Sequence, residues 1–391
     1  MRHKVFAGLL TLFMLSFFFI AEQHQRNWLL YLTALSAHSF VLDASAWRGA
    51  FVDGAGLALM ILIGFPLLSL AWSDGIEPHG VRSLFVAGYC IFVIYIGMVQ
   101  LVDARPRDLE RLKNVLLAAA VFSSALSLGN WLLSDQAGVW RLQGVLGLNN
   151  PVHASILLLA ATLPAVRRMT LDRAGLGWLA ACILPWLFVV LAGARAAMGA
   201  YLIIVVLLLT GRRDLRGNVM VGICAVVVIA SALALAGFDG FRDIWLARGV
   251  SYRNVIWAQV WAQFRDCDPI IGCGIGSPLS ITLGAQDSSR PHSIFLGALY
   301  YQGVLGLLAF FTALGYLMFR ALREAGSGVI DRRDWAVMLG FALLANLTSG
   351  DHIMVRATLF WSYFWLPVMV IASLRFASNT SSTATGRGNS R

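Results

Sequence analysis

The sequence predicts an all-α membrane protein with about twelve transmembrane helices and one long loop outside the membrane. Hydrophobic residues make up 59% of its 391 residues, and charged residues only 13%, where a soluble domain carries about 25%. Apolar runs of membrane-spanning length recur along the whole chain. These runs are too long for the strands of a transmembrane barrel, which need only about ten alternating residues.

The predicted spans follow one another with short connections, apart from one long interruption. Their bounds are 5–20, 28–40, 55–72, 83–102, 114–133, 152–167, 176–193, 196–210, 219–237, 292–319, 335–349 and 353–374. The first run follows a basic start and resembles a secretory signal, but no small-x-small cleavage site follows it, so we expect an uncleaved first helix. The chain thus divides into helices 1–9 (1–237), a long loop (238–291), helices 10–12 (292–375) and a disordered cytoplasmic tail (376–391).

The distribution of Lys and Arg predicts the orientation of these spans. If the N-terminus is cytoplasmic, 20 of the 30 basic residues lie on the cytoplasmic side: Arg2, Lys4, Arg48, Arg105, Arg107, Arg111, Lys113, Arg167, Arg168, Arg173, Arg212, Arg213, Arg216, Arg320, Arg323, Arg332, Arg333, Arg375, Arg387 and Arg391. This bias agrees with the positive-inside rule and predicts that both termini are cytoplasmic and the long loop external. The net charge of +10 therefore reports topology and attraction to anionic lipid, and not binding to nucleic acid.

The ten external basic residues are all arginines, which the positive-inside rule disfavours. Five stand close to membrane ends or open a loop helix, and a bound anion at the outer surface would explain them: Arg141, Arg195, Arg248, Arg253 and Arg356. We expect the small residues around Arg195 (Gly193, Ala194, Ala196 and Ala197) to let a bulky headgroup approach the backbone. For the other five, contact with lipid phosphates is the simpler interpretation: Arg26, Arg82, Arg242, Arg265 and Arg290.

The long external loop is predicted to contain a helix that lies in the membrane interface. Tyr252, Ile256, Val260 and Phe264 recur at helical spacing, and aromatic residues are typical of interfacial helices. We expect the helix to break at Pro269, and the following glycines to form a flexible turn: Gly272, Gly274 and Gly276. Two cysteines of this loop, Cys267 and Cys273, either stay free or close a small disulfide ring.

Residues 290–306, RPHSIFLGALYYQGVLG, place His292 at the end of this loop and at the start of a span. A lone histidine there is structural more often than functional, so position alone leaves its role open. The spacing adds information, because His292-Ser293 is followed by nine residues and then by Gly303-x-x-Gly306. This pattern resembles that of the O-antigen ligase family, within the ligase and polymerase superfamily of bacterial envelope glycosyltransferases.

Three other segments are similar to this family. RNVIWAQVWAQFRDCDPIIGCGIG, from Arg253, resembles its arginine, tryptophan and Pro-x-x-Gly-x-Gly series. LAGARAAMGAYL resembles its Ser-Arg-Gly helix start, with Ala194 in place of the usual serine. WRLQGVLGLNNPVHAS resembles its Arg-x-x-Gly and Asn-Pro segment, although both Asn149 and Asn150 precede the proline.

The resemblance implies a GT-C-like fold and a specific reaction. An O-antigen ligase of the Gram-negative inner membrane transfers a glycan from undecaprenyl pyrophosphate to a sugar hydroxyl of lipid A–core, on the periplasmic side. It implies His292 as general base and Arg195 with Arg253 as the pyrophosphate clamp, with Arg248 and Arg141 in second rank. Asp351 and Ser293 are expected to support them. The resemblance also implies a direct displacement that inverts the anomeric configuration. No external carboxylate cluster suited to Mg²⁺ is visible, so we expect the reaction to need no metal or cofactor.

Two alternatives remain at the level of the sequence. A polymerase of the same superfamily, or a protein O-oligosaccharyltransferase, uses the same donor with another acceptor. The complete histidine pattern and the short tail favour the ligase. An exporter of anionic lipid or polysaccharide needs charges or broken helices near the bilayer midplane. The spans carry almost no acidic residues and the arginines lie at one end, so the exporter is less favoured.

Overall fold

The computed structural model describes residues 1–51, 54–75, 78–134, 142–169, 175–210, 252–283, 286–323, 330–350 and 352–374. The α-helices of these residues are α1 Arg2–Phe19, α2 Gln23–Val41, α3 Ala44–Phe51, α4 Ala55–Leu68, α5 Pro78–Ala104, α6 Pro106–Leu132, α7 Pro151–Met169, α8 Gly175–Leu191, α9 Arg195–Thr210, α10 Arg253–Phe264, α11 Ile294–Arg323, α12 Arg332–Ala345 and α13 Leu366–Ser373. A single turn of 3₁₀-helix extends α4 over Ser69–Trp72, and one of π-helix, Trp361–Trp365, precedes α13.

Several of these helices are long and apolar enough to cross a membrane. They are Arg2–Phe19, Ala55–Trp72, Pro78–Ala104, Pro106–Leu132, Pro151–Met169 and Ile294–Arg323, with shorter apolar helices at Ala180–Leu191, Arg195–Leu208 and Trp361–Ser373. The chain is therefore an all-α, multi-pass membrane protein, and that part of the prediction is confirmed. The count of twelve stays a prediction, since the expected ninth span at 219–237 and the tail at 376–391 lie outside the described residues.

The last predicted span has a shorter helix than expected. Helix α12 is continued by a 3₁₀ turn at Asn346–Thr348, close to the predicted end at 349, but the final helical segment begins at Trp361 rather than at 353. Two tryptophans hold the non-helical segment between them, because the indole N–H groups of Trp361 and Trp365 donate to the carbonyls of Val355 and Ile353 at 2.9 Å each. A hydropathy pattern cannot detect this start, since residues 353–360 are about as apolar as the helix that follows them.

A network of buried charges joins helices α6, α7 and α12 at the end predicted to be cytoplasmic. The Lys113 ammonium contacts Asp334 and also Glu110, the latter at 2.8 Å. The Arg167 guanidinium pairs with Asp331 and with Asp334, the latter at 2.7 Å. The side chains of Lys113 and Asp334 are almost completely buried. Because the charges are mutually paired, the network ties the three helix ends together without leaving a buried ion uncompensated.

The external loop contains a small hairpin that the all-α prediction did not include. Strands β1 (Ile281–Leu283) and β2 (Gln286–Ser288) pair in antiparallel register. Two glutamines of α10 hold the chain here: the Gln259 amide bonds both to the N–H and to the C=O of Thr282 at 2.9 Å, and Gln263 bonds in the same way to Ser280. The side-chain amides thus imitate the edge of a neighbouring strand.

Helix α10 lies against the bundle through three of the four residues that recur at helical spacing in the sequence. Ile256, Val260 and Phe264 are buried, whereas Tyr252 and Trp261 are exposed. The buried side packs on α11 and on β1. The helix ends before Pro269, as expected, and its exposed aromatic residues are those that would meet a membrane surface.

Candidate active site

The first site residue, His292, has an unusual backbone conformation. Its φ is 50°, in the left-handed region that non-glycine residues seldom occupy. The residues on either side, Pro291 and Ser293, are buried, and His292 is partly exposed between them. Such a conformation costs free energy and persists only where its surroundings impose it, so the outlier itself points to a functional constraint.

Ser293 is the N-cap of helix α11. Its hydroxyl accepts a hydrogen bond from the Leu296 amide at 3.3 Å, and its carbonyl accepts from Gly297 at 2.8 Å. A serine at this position satisfies helix amides that have no partner within the helix. The supporting role expected for Ser293 is thus structural: it starts the helix immediately after His292.

Helix α11 is broken one third of the way along, at Gly303. This glycine has φ 66° and ψ −169°, a conformation almost confined to glycine. A break in a transmembrane helix leaves backbone groups without intrahelical partners, and these must be satisfied within the protein. In this protein the backbone groups freed by the break form hydrogen bonds with the loop that follows α10.

The glycine-rich loop at 269–274 and the broken helix α11 satisfy each other's backbone hydrogen-bonding groups. The carbonyls of Pro269 and Ile270 accept hydrogen bonds from the Val304 and Leu305 amides, each at 3.0 Å. In return, the amides of Cys273 and Gly274 donate to the Tyr300 and Tyr301 carbonyls, at 2.9 and 2.8 Å. The four bonds interlock the two segments, and the loop is not the flexible turn that its glycines led us to expect.

The interlock explains why both segments carry glycine. Gly272 has φ 75°, and a β-carbon added there would lie closer than 3.0 Å to the Gly303 amide nitrogen. A β-carbon on Gly303 would meet the Ile270 carbonyl and the Gly272 nitrogen equally closely. The Pro-x-x-Gly-x-Gly series and the histidine pattern are therefore two halves of a single backbone contact.

Two further attachments hold the loop. A disulfide joins Cys267 to Cys273, which resolves the alternative left open by the sequence. On the other side the loop rests on the outer end of α4, where the Trp72 indole donates to the Ile271 carbonyl at 3.0 Å. The Ser69 and Ser73 hydroxyls accept from the amides of residues 275 and 276, at 3.2 and 3.0 Å. The loop is thus fixed between α4 and α11.

Arg195 is the first residue of α9, after a tight turn from α8. Gly193 supplies a positive φ of 62° in this turn, and the exposed Arg195 donates its amide to the Gly193 carbonyl. The expectation that small residues open space for a headgroup is wrong for Ala194 and Ala197, which are buried. Their small size allows the close packing of the turn, and the space beside the backbone is limited to Gly193 and Ala196.

The other arginines stand differently in the structure. Arg253 is the first residue of α10 and is partly exposed. Arg141, Arg248 and Asp351 lie outside the described residues, but two of them have described neighbours. Leu142 donates its amide to the Leu191 carbonyl at 3.1 Å, so the segment after Arg141 adjoins the turn that carries Arg195.

The segment around Asp351 adjoins the outer end of α11. A β-carbon on Gly350 would lie 2.6 Å from Ile294, two residues after His292. The ring of His352 stands edge-on to that of Tyr301, with centroids 6.2 Å apart. The segments that carry Asp351 and His292 are therefore neighbours.

Sequence reasoning missed a histidine–tyrosine pair on the same side of the bundle. Asn150 caps α7, accepting hydrogen bonds from the amides of Val152 and His153 at 3.1 and 3.3 Å. The His153 Nδ1 then lies 2.8 Å from the hydroxyl of Tyr363, which belongs to the π-helical turn before α13. A π-turn is frequent at functional sites. The only sequence signal was the Asn-Pro-x-His run, which equally suits a simple cap.

The comparisons with known proteins agree with this arrangement. The model of the O-antigen ligase family matches residues 180–311, a range that contains Arg195, Arg253, His292 and both glycines of the histidine pattern. The chain is also 27% identical, over 338 residues, to an O-antigen ligase of Pseudomonas aeruginosa strain PAO1. That alignment covers 83% of this chain and 79% of the Pseudomonas protein.

Both comparisons support the resemblance to the O-antigen ligase family. This similarity implies a glycosyltransferase-type ligase with a lipid-linked polysaccharide and a lipid acceptor as its substrates. Within the O-antigen ligase match, helix α9, helix α10, the interlocked loop and the outer half of α11 follow in order. The matched range thus coincides with the elements that carry the candidate site.

Proposed function

We propose that the chain is an O-antigen ligase that transfers polysaccharide from undecaprenyl pyrophosphate to a sugar hydroxyl of lipid A–core, on the periplasmic face of the inner membrane. One observation carries the proposal beyond the resemblance to the family. His292 has a left-handed backbone two residues before α11, the helix that the interlock at Gly303 joins to the loop after α10. A costly conformation at the one histidine of the family pattern favours a chemical role over a structural one.

In the proposed reaction, His292 accepts the proton of the acceptor hydroxyl. The hydroxyl oxygen attacks the anomeric carbon of the donor, and the bond from that carbon to the pyrophosphate oxygen breaks. Undecaprenyl pyrophosphate leaves with the electron pair, and direct displacement inverts the anomeric configuration. An imidazole with an ordinary pKa of about 6.5 is suited to this proton transfer, which contributes about 10²–10⁴-fold in rate.

Arginines are proposed to stabilise the charge that develops on the leaving group. Arg195 and Arg253 begin helices α9 and α10, and guanidinium groups bind phosphate oxygens bidentately. The hydrogen bond from Leu142 to Leu191 supports a secondary role for Arg141 beside Arg195, with Arg248 proposed in the same rank. The packing of Gly350 on α11 supports Asp351 as the residue that orients His292 or an arginine. No step is assigned to a metal or a cofactor.

Complementation of a ligase-deficient Gram-negative host tests the proposal. The host carries the matching glycan and core genes and receives wild type, His292→Ala or His292→Gln, each with its level in the membrane measured. Wild type should restore O-antigen ladders on lipopolysaccharide. Both His292 variants should leave the glycan on undecaprenyl pyrophosphate, with ligation reduced at least about 10²-fold.

His24→Ala is the matched control, since His24 is an exposed histidine at the start of α2, and its one ion pair with a described residue is the exposed pair with Glu22. It should ligate as wild type does. Normal ligation by His292→Ala would end the assignment of His292 as base. Longer glycans without attachment to the core, produced by wild type, would identify a polymerase.

A further inference from the structure

A second group of basic residues stands at the external end of the bundle, apart from the residues proposed for the donor. The guanidinium of Arg356 approaches the Nε2 of His79, at the start of α5, to 3.5 Å. Arg82 follows His79 by three residues and so lies on the same side of α5. Both His79 and Arg82 are exposed.

Helix α2 contributes to the same place. The Asn27 side chain accepts a hydrogen bond at 3.2 Å from the amide of Ala357, the residue after Arg356. The preceding residue, Arg26, is buried rather than directed to lipid: it donates to the Ile20 carbonyl at 3.2 Å and lies over the Phe17 ring. Its positive charge therefore stays beneath the cluster, which corrects our expectation of contact with lipid phosphates.

The described residues supply no ion-pairing carboxylate to this cluster. None of the ion pairs that they form includes Arg26, Arg82 or Arg356. At the opposite end of the bundle, by contrast, Arg105 and Arg167 each pair with aspartate. Arginines on the external side are disfavoured by topology, so a group of them that forms no ion pair with a described carboxylate indicates an anionic ligand.

The surroundings of the cluster suit an amphiphilic ligand. Trp28, next to Asn27 on α2, has 66% of its surface exposed, and its ring stands edge-on to that of Tyr31. An exposed tryptophan at a membrane end is typical of the level of lipid headgroups. The ligand is therefore expected to combine a phosphate group with a lipid-embedded body.

The cluster lies within reach of His292. Residues 350–356 run from the start of α11, where Gly350 contacts Ile294, to the start of α5, where Arg356 meets His79. Six residues of extended chain span at most about 20 Å. A glycolipid anchored at the cluster could thus present a sugar hydroxyl to His292 through an oligosaccharide of a few sugars.

We propose that Arg82, Arg356 and His79 form a second anion site, which binds a phosphate group of the acceptor glycolipid. The inference rests on the proposed function, because it assigns the acceptor a place separate from the donor pyrophosphate. A phosphate of bulk phospholipid has the same chemistry, and the experiment must separate the two sources.

The test uses full-length protein in nanodiscs of phosphatidylcholine, with lipid A–core that is either native or treated with phosphatase. Transfer by wild type and by Arg82→Gln/Arg356→Gln is measured with the acceptor varied at saturating donor, and then with the donor varied at saturating acceptor. The double variant should raise the KM for native acceptor about 100-fold, or about tenfold per arginine, and leave kcat and the KM for donor within about twofold. Phosphatase treatment should raise the KM of wild type similarly and leave the double variant unaffected.

Two further variants complete the design. Arg265→Gln, an exposed external arginine at the end of α10, should behave as wild type. Arg82→Lys/Arg356→Lys keeps the charge and should recover most of the lost affinity. Thermal unfolding checks folding, and the single variant Arg82→Gln replaces the double one if that variant does not fold.

The outcomes separate the hypotheses. If the double variant raised the KM for native and for phosphatase-treated acceptor equally, the cluster would bind bulk lipid. If it raised the KM for donor, the cluster would belong to the donor site. Either result overturns the inference. If wild type transfers no glycan, the proposed function fails. Binding of labelled acceptor to the same nanodiscs then tests the anion site separately. Binding that requires both the acceptor phosphate and the two arginines supports the anion site, and binding that ignores either one refutes it.

Discussion

Gly303 is the residue on which the interlock between α11 and the loop after α10 most directly depends. Gly303→Ala would force a side chain into a conformation that costs about 1–3 kcal/mol, and would press its β-carbon against Ile270 and Gly272. With the overpacking added, we expect a loss of about 3 kcal/mol or more in the free energy of unfolding, together with loss of ligation. Thermal unfolding in detergent and O-antigen blots measure the two effects.

Gly315→Ala is the control in the same helix. A β-carbon at Gly315 meets nothing within 4 Å, and alanine is the better helix former by about 1 kcal/mol. Its stability should match or exceed that of wild type. If both variants behaved alike, the break in α11 would not be the cause of the loss.

At the level of residues, the sequence predicts types and spacing but not conformation. It identified His292 and the two glycines of its pattern, and it placed Arg195 at a helix start. It could not show that Gly303 faces Gly272, because that contact joins residues 31 positions apart through space. The His153–Tyr363 pair was missed for the same reason, since its members lie 210 positions apart.

The loop after α10 is the element whose stability the disulfide should control. Reduction of Cys267–Cys273, or the change Cys267→Ala/Cys273→Ala, opens a ring with a sequence separation of 6. The chain-entropy effect of so small a ring is about 2 kcal/mol. We expect a lower unfolding temperature and weaker ligation, because the freed loop also supplies hydrogen bonds to α11.

The measurement compares unfolding and transfer with and without dithiothreitol. In the double alanine variant the reductant should have no further effect, which separates this disulfide from any other action of the thiol. If dithiothreitol changed neither the unfolding temperature nor the transfer activity of wild type, the hydrogen bonds alone would hold the loop.

The charge network at the other end of the bundle is a second element that can be tested. Asp334→Asn removes the shared partner of Lys113 and Arg167 where both Asp334 and Lys113 are buried. Breaking a buried pair on one side costs about 3–5 kcal/mol in the free energy of unfolding. The control Asp43→Asn breaks a surface pair with Arg2 and should cost at most about 1 kcal/mol. Chemical denaturation of both variants measures the difference, and equal costs would mean that the network does not hold the helix ends.

Helix existence was more predictable than helix ends. Apolar runs gave the membrane helices, and Pro106 and Pro151 stand at the starts of α6 and α7, where proline suits a helix. The start of the last helix depends on Trp361 and Trp365, whose carbonyl partners a local pattern does not reveal. The hairpin depends on Gln259 and Gln263, two polar residues that the sequence pattern assigns to an exposed helix face.

For the whole molecule, the predicted orientation brings several independent features into agreement. Residues assigned to the cytoplasmic side by charge contact one another, as in the pairs of Arg2 with Asp43 and of Lys113 with Asp334. The disulfide lies in the loop assigned to the periplasm, an oxidising compartment in which such bonds persist. An opposite orientation would put the disulfide in a reducing compartment and the basic loops outside.

Labelling with a membrane-impermeant maleimide on intact spheroplasts tests this orientation. Cys90, Cys182 and Cys224 are replaced by Ala, and the disulfide pair is left in place, since bonded cysteines do not react. Single cysteines are then introduced by Glu22→Cys, before α2, and by Arg107→Cys, near the start of α6; both positions are exposed. We expect labelling at 22 before permeabilisation and at 107 only after it. The reverse pattern would direct His292 to the cytoplasm, away from a periplasmic acceptor, and the proposed reaction would fail with it.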